Sequence, residues 1–422
     1  MTACRTQRPL HFVEHRKQLG IPFVVQTLGE RCHPGLHGGG GTGERGQFGM
    51  HRRIVAHGTQ GWFASLAGMA RVPVRDDLRA LEGYHSPQVE VRVRLNTNES
   101  PESPPRAWSD AFAAEVARIE WHRYPDRAAT ALRTAIGGLH GVGPENVFAA
   151  NGSNEVLQTL LLTYAGAGRR VATFEPTYQL HAHIARLTGA TVVEGERRDD
   201  FTLDPAEAER LLRAHEPHVT FVCSPNNPTG VVEPEATVRK VIDLAPGLVV
   251  VDEAYAQFSD WSALDLLDED RPMAVVRTFS KTWSMAAARL GYVVAPTWVV
   301  AELEKVILPY HLDTAKQIAG RLAVGFVDDM NARVRHVVSE RERIANALAA
   351  MPVQQWRSGA NFILFRPTDR PGRDVWQGLL DRSVLIRDCS GWPRLAGCLR
   401  VTVGTAAEND EFIAALQEVL GS

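Results

Sequence analysis

The chain has 422 residues, 44% of them hydrophobic and 23% charged, with a formal net charge of -3 at neutral pH. This is the composition of a globular protein long enough for two or three domains. It offers no global basic field to attract nucleic acid, and no apolar run approaches the roughly 20 residues needed to cross a bilayer.

Residues 1–68 differ from the rest. They hold eight Lys/Arg, three Asp/Glu and six His, with GGGG at 38–41, and show no sustained periodicity. They read as a disordered extension, or as an upstream start with Met69 the true initiator. The opening MTACRTQRPLHF lacks the apolar core of a signal peptide, so a cytoplasmic location is expected. His33 and His37 have no acidic or cysteine partner nearby, and no metal site is expected. The five cysteines are scattered, odd in number and without a CxxC pair, which argues against a disulfide framework. Cys223, inside HVTFVC, reads as a small buried hydrophobe.

From about residue 142 apolar strand-like runs alternate with helical patterns. EVLQTLLLTYAG reads as a helix, RVATF and TVVEG as strands flanking the helical YQLHAHIARLTG, and HVTFVC, GLVVVDEA, MAVVRTFS and LGYVVAP as further strands. Short β-branched runs of this kind predict strands covered on both faces. The alternation predicts an α/β fold with a mostly parallel sheet between helices. After about residue 331 a long helix (ARVRHVVSERERIANALAAM) leads into FILFRP, VLIRD and CLRVTV, then a last helix, ENDEFIAALQEVL. The expected division is a 69–118 segment packing with a smaller α+β domain at 331–422, and a large domain at 119–330.

In parallel sheets, sites form beyond the carboxyl ends of strands. Five groups of polar residues fall there. Asn151-Gly152-Ser153-Asn154-Glu155 precedes a helix, whose free N–H groups suit a phosphate; it also reads as an ordinary helix cap. Ser224-Pro225-Asn226-Asn227-Pro228-Thr229-Gly230 is turn chemistry that could fix one amide at a ligand. Asp252, closing GLVVVDEAY, is a carboxylate that burial makes costly unless it is paired; it serves either a structural ion pair or a ligand cation, and Tyr255 lies three residues on. Ser280-Lys281, with Arg289, offers an amine that desolvation turns into a nucleophile toward carbonyls, unless Lys281 simply faces solvent. Arg387 and Arg400 are carboxylate or phosphate clamps, or surface residues. Together they supply a phosphate cradle, an acid for a ring cation, a phenol, an amide, an aldehyde-capturing lysine and anion clamps, the requirements of pyridoxal 5'-phosphate.

From about Val74 to Leu420 the chain resembles the fold-type-I pyridoxal-phosphate aminotransferases, and more narrowly the histidinol-phosphate aminotransferases. The resemblance is carried, in order, by DLRALEGY, VRLNTNESP, RYPD, NGSNE, FEPTYQLH, CSPNNPTG, VVDEAY, RTFSK, the arginine of AAARLGYVVA, PYHL, ANFILF, LIRD and LRVTVGT. It implies that Lys281 binds the cofactor aldehyde, Asp252 partners the pyridine nitrogen, and Tyr255 and Asn227 meet the ring oxygen. Tyr178 would stack on the ring, and Gly152, Ser153, Asn154, Ser280 and Arg289 would form the phosphate cradle. Tyr124 would reach the cofactor phosphate of a second subunit, which implies a homodimer. Arg400 would hold the substrate anion, and Tyr84, Tyr310, Arg387 and Asn98 would help bind the substrate. The implied reaction converts L-histidinol phosphate and 2-oxoglutarate to imidazole-acetol phosphate and L-glutamate, in histidine biosynthesis. An aromatic amino-acid aminotransferase or a phosphothreonine decarboxylase shares the cofactor motifs. A cofactor-sensing regulator would need an N-terminal helix-turn-helix, for which residues 1–68 show no pattern. After PYHL, Asp313 and Lys316 depart from the small or neutral residues of the family.

Overall fold

The structure is a computed structural model that describes residues 72–79 and 89–421. Tyr84, Met69 and the whole 1–68 extension, with His33 and His37, lie outside these residues. All that follows concerns the unit from Pro73 onward.

Among the described residues twelve strands form two sheets. The first contains β2 (Val147–Ala150), β3 (Arg170–Glu175), β4 (Thr191–Glu196), β5 (Val219–Cys223), β6 (Leu248–Asp252), β7 (Met273–Thr278) and β8 (Gly291–Val294), in the order β2-β8-β7-β6-β5-β3-β4. β7, β6, β5, β3 and β4 run parallel, while β8 is antiparallel to both β7 and β2. The second sheet has the order β1-β11-β12-β10-β9, from β1 (Val93–Leu95), β9 (Val353–Gln355), β10 (Phe362–Pro367), β11 (Val384–Asp388) and β12 (Leu399–Thr402). It is antiparallel except where β1 lies parallel to β11.

Eleven α-helices surround these sheets among the described residues: α1 (Arg106–Val116), α2 (Thr130–His140), α3 (Ser153–Tyr164), α4 (Leu180–Leu187), α5 (Pro205–His215), α6 (Glu235–Leu244), α7 (Thr297–Val306), α8 (Thr314–Val324), α9 (Val327–Ala349), α10 (Gly372–Asp381) and α11 (Ala406–Leu420). None is long and apolar enough to cross a membrane.

The first sheet is sandwiched because its central strands have no polar face. Val250 packs with α3, α4 and α7, whereas its neighbours Val249 and Val251 point the other way, into α5 and α6. Side chains alternate along a strand, so a run of valines serves both layers. Fully burying each such side chain contributes about 1.5–3 kcal/mol. The second sheet is covered by α9, α10 and α11 through Ile344, Leu379 and Phe412. A capping box, in which Thr405 and Glu408 bond each other's backbone, starts α11.

The segment after residue 89 divides. β1 joins the second sheet, but α1 lies against α8: the Trp108 indole donates to the Ala319 carbonyl at 3.1 Å, and Arg321 pairs with Glu115.

Candidate active site

The parallel strands β5, β6 and β7 end level with one another. Cys223 is in register with Asp252, and Asp252 with Val276. The loops leaving these three ends, the N-terminus of α3 and the segment after β1 surround a cavity of about 410 Å³. Ser153, Asn154, Tyr178, Asn227, Asp252, Tyr255, Ser280, Lys281, Arg289, Arg387, Arg400 and Asn98 all line it. Residues from the five groups, with Asn98 and Tyr178, more than 300 positions of chain in all, therefore meet in one space.

Asp252 forms the floor. Its carboxylate is buried; Oδ2 lies 2.9 Å from Nε2 of His181, and Oδ1 accepts the Ala254 N–H at 3.1 Å. His181 is fully buried on α4, its ring stacked on Phe221 at 4.4 Å and meeting Tyr178 edge-on. Sequence reasoning assigned His181 no part. The available signal was its place three residues after Tyr178, in the first turn of the helix that follows.

The Tyr255 phenol accepts a hydrogen bond from Asn98 Nδ2 at 3.0 Å. Burial pushes the phenol up to about 12, against the pull of Arg400 and of the Asn98 bond. Asn98 is itself held by Thr402, whose hydroxyl donates to Asn98 Oδ1 at 3.1 Å. Its side chain thus supports the phenol from the second sheet. Arg400, buried on β12, donates to Asn227 Oδ1 at 2.6 Å and to the Asn96 carbonyl at 3.1 Å. Arg387 is directly opposite Arg400 across the β11–β12 pair, so the two guanidiniums share one face of that sheet.

Lys281 follows β7 by three residues and is part-buried. Its Nζ donates to the carbonyls of Thr97 at 3.2 Å and Asn98 at 2.8 Å, and sits 5.7 Å from the Tyr255 ring centre. The amine is brought down from 10.5 to about 7, first by burial, then by Arg400 and, more weakly, Arg289; Glu99 opposes the shift. A lysine that releases its proton near neutrality can act as a nucleophile. The shift also makes stability depend on pH. Between about 7 and 10.5 the unfolded chain holds a proton that the folded chain has released, so stability rises with pH across that window. The contribution is complete above 10.5 and lost as pH falls through about 7. In the cofactor-free protein, the parent should therefore gain stability over a Lys281→Met variant between pH 7 and pH 10. Urea midpoints of the two proteins, measured in parallel, check this; a constant difference would sink it.

At the other end of the cavity, Gly152 precedes α3 with no side chain capping the helix, which leaves the first N–H groups free. Gly152 has φ +83°, and a Cβ there would come within 2.8 Å of Arg289 Nη2. Arg289, on the β7–β8 loop, also donates to Ser280 Oγ at 3.4 Å, and Tyr178 OH donates to Asn154 Oδ1 at 3.2 Å. Uncapped helix N–H groups, a guanidinium and a hydroxyl form a donor set for a phosphate. With an acid at the floor and an amine of lowered pKa between them, these residues fit pyridoxal phosphate.

The cradle has further support that sequence reasoning missed. The Glu155 carboxylate accepts both the backbone N–H and the side-chain amide of Asn151, at 2.6 and 2.7 Å, and Lys316 donates to Asn151 Oδ1. Asp313 caps α8 by accepting the Lys316 N–H. The two departures after PYHL thus brace the residue before Gly152. Tyr124 and Tyr310 stand apart from the cavity lining. Both are exposed, and they stack on each other at 4.6 Å. Cys223 is buried, and burial raises its thiol. No cluster of His, Cys, Asp and Glu able to hold a metal ion occurs among the described residues.

The chain is similar to known proteins. Residues 91–416 match the family described as aminotransferase class I and II. A histidinol-phosphate aminotransferase of Mycolicibacterium smegmatis is 44% identical over 366 residues, 84% of this chain and 95% of its own. One from Nocardia farcinica is 44% identical over 82% of this chain and 91% of its own. The crystal structure of histidinol-phosphate aminotransferase from Sinorhizobium meliloti, in complex with pyridoxal-5'-phosphate, superposes with a TM-score of 0.77 at 22% identity, covering 84% of this chain and 99% of that one. With its strand-end cavity, its fold and a family match spanning most of its length, the chain belongs to the class I and II aminotransferases.

Proposed function

We propose that this chain is the pyridoxal-phosphate-dependent histidinol-phosphate aminotransferase of histidine biosynthesis, moving the amino group of L-histidinol phosphate to 2-oxoglutarate. The single observation that carries the chemistry is Lys281, an amine brought to about 7 in the cavity that also holds Asp252 and Arg289. The substrate assignment is supported by 44% identity to relatives of that name over most of both chains.

In this reading Gly152, Ser153, Asn154, Ser280 and Arg289 hold the cofactor phosphate, and Tyr178 covers the ring. Asn227 and Tyr255 bond its ring oxygen. Bound there, pyridoxal phosphate supplies an aldehyde that takes up an amine and a ring that withdraws electrons from the carbon bearing it. Lys281 Nζ would take the proton from that carbon as base and deliver it, as acid, to the carbon that was the cofactor's aldehyde carbon. The Asp252 carboxylate holds a proton on the ring nitrogen, with His181 fixing its orientation. Arg400 orients the substrate anion, with Arg387 and Asn98 beside it. The large part of the chain, 119–330, contributes most of the cofactor contacts, and 331–422 contributes Arg387 and Arg400.

A homodimer is part of this proposal. Trp121, Tyr124, Leu308 and Tyr310 are large exposed apolar groups. Exposed apolar surface of this kind suits a second copy. Tyr124 would reach the other subunit's cofactor from there, and Tyr310 its substrate.

The test is a half-reaction. The purified protein, loaded with pyridoxal phosphate, is given L-histidinol phosphate alone while the absorbance of the bound cofactor is followed. Conversion to the amine form of the cofactor, reversed by 2-oxoglutarate, is the expected result. Conversion by L-phenylalanine or L-glutamate but not by L-histidinol phosphate would overturn the substrate and leave the aminotransferase. Release of carbon dioxide from L-threonine O-phosphate, offered in a separate reaction, would indicate a decarboxylase.

A narrower prediction concerns the cradle. Gly152→Ala places a side chain at a left-handed φ and against Arg289, a strain of about 1–2 kcal/mol. Cofactor affinity should fall about tenfold, by titration of the cofactor-free protein. An unchanged Kd would remove Gly152 from the phosphate site.

A further inference from the structure

Trp392 lines the active cavity, yet none of the chemistry above uses it. It stands on the loop between β11 and β12, the two strands that carry Arg387 and Arg400. The Arg387 guanidinium lies 5.9 Å from the Trp392 ring centre, within range of a cation–π contact.

The loop is built to hold this position. The Trp392 N–H donates to the Cys389 carbonyl at 3.0 Å, and the Trp392 carbonyl accepts from Leu395 at 3.2 Å. At the neck of the loop the Cys389 N–H donates to Cys398 at 3.0 Å. Cys389, Leu395 and Cys398 are fully buried in one small core with Phe201, Trp356 and Leu364, which anchors the loop. Arg394 then ties it to the chain beyond β4, donating to the Arg197 carbonyl and to Asp199 Oδ1 at 2.9 Å. A loop from the second sheet is thus fastened to the first-sheet part of the molecule, with its indole facing the cavity.

Resting on the aminotransferase reading, we propose that Trp392 is a positioning residue that sets specificity for a phosphorylated amine, by holding the Arg387 guanidinium toward the substrate's anionic end. Arginine has many rotamers, and fixing one beforehand removes an ordering cost from binding. The effect should appear in discrimination between anionic and neutral donors rather than in proton transfer, which belongs to Lys281.

The experiment compares kcat/KM for L-histidinol phosphate and for unphosphorylated L-histidinol in the holoenzyme. Trp392→Ala should lower the preference for the phosphorylated donor about fivefold, chiefly through KM, as loss of a part-buried cation–π contact implies. Trp392→Phe should restore most of it, and Arg394→Ala should lower it in the same direction. Cofactor content and melting temperature are measured on each variant. An unchanged preference in Trp392→Ala would overturn the proposal. So would a preference that falls only together with cofactor loss or melting, since that is what a merely structural tryptophan would produce. A parent enzyme that does not convert L-histidinol phosphate at all would overturn the substrate assignment, and this proposal with it.

Discussion

Lys281→Ala should lose at least about a thousandfold in turnover while keeping its fold. Proton transfer by a positioned side chain contributes typically 10²–10⁴-fold, and the same amine is proposed to capture the aldehyde. The fold should survive because, among the described residues, Nζ makes two hydrogen bonds, both to backbone carbonyls, and the Asn98 carbonyl also accepts from Asn361. Removing the lysine also removes a cation that its surroundings already disfavour. Lys281→Arg should be as inactive as the alanine variant, because a guanidinium keeps its proton at any working pH. Steady-state rates, alongside circular dichroism and a melting curve, test both. An alanine variant within tenfold of the parent, without added amines, would move the chemistry elsewhere.

Asp252→Asn should be the next most damaging change, at about two to four powers of ten in kcat. Breaking a buried charge pair by removing one partner costs about 3–5 kcal/mol, and each 1.36 kcal/mol is tenfold in rate. The amide is nearly the same size and can still meet His181, so packing under the cavity should persist. What it cannot do is hold a proton on a ring nitrogen by charge. Asp252→Glu keeps the charge and should recover part of the rate. The measurement is kcat at saturating pyridoxal phosphate, with cofactor content checked separately. An asparagine variant within tenfold of the parent would leave Asp252 with only its structural bond to His181.

Much of this arrangement was legible from residue order. Five apolar β-branched runs became β3, β5, β6, β7 and β8, because burial on both faces requires continuous apolar strands. The polar residues directly after β5, β6 and β7 came together for the same reason, since parallel strands end on one side. Other features had no local signal. β1 and β9 have three residues each, too few for any period to show. The antiparallel direction of β8 is not encoded in its pattern, which is the same for a strand run either way. The pairing of His181 with Asp252 spans 71 positions, and the stacking of Tyr124 on Tyr310 spans more than twice that. α1 resembles any amphipathic helix, and only tertiary packing brings it to α8.

The reversal from β7 to β8 has one more consequence. Because β8 returns antiparallel, Lys281 and Arg289 sit on a single short loop whose ends are tied by the Phe279 N–H donating to the Leu290 carbonyl at 3.0 Å. In the proposed reading one residue would face the aldehyde end of the cofactor and the other its phosphate. The loop is therefore a ruler, and the number of residues between its two marks is set by the size of a small molecule. Elsewhere on the surface, chain length can drift at little cost. Here a single inserted residue would move one mark against the other, so this loop should tolerate changes of side chain far better than changes of length.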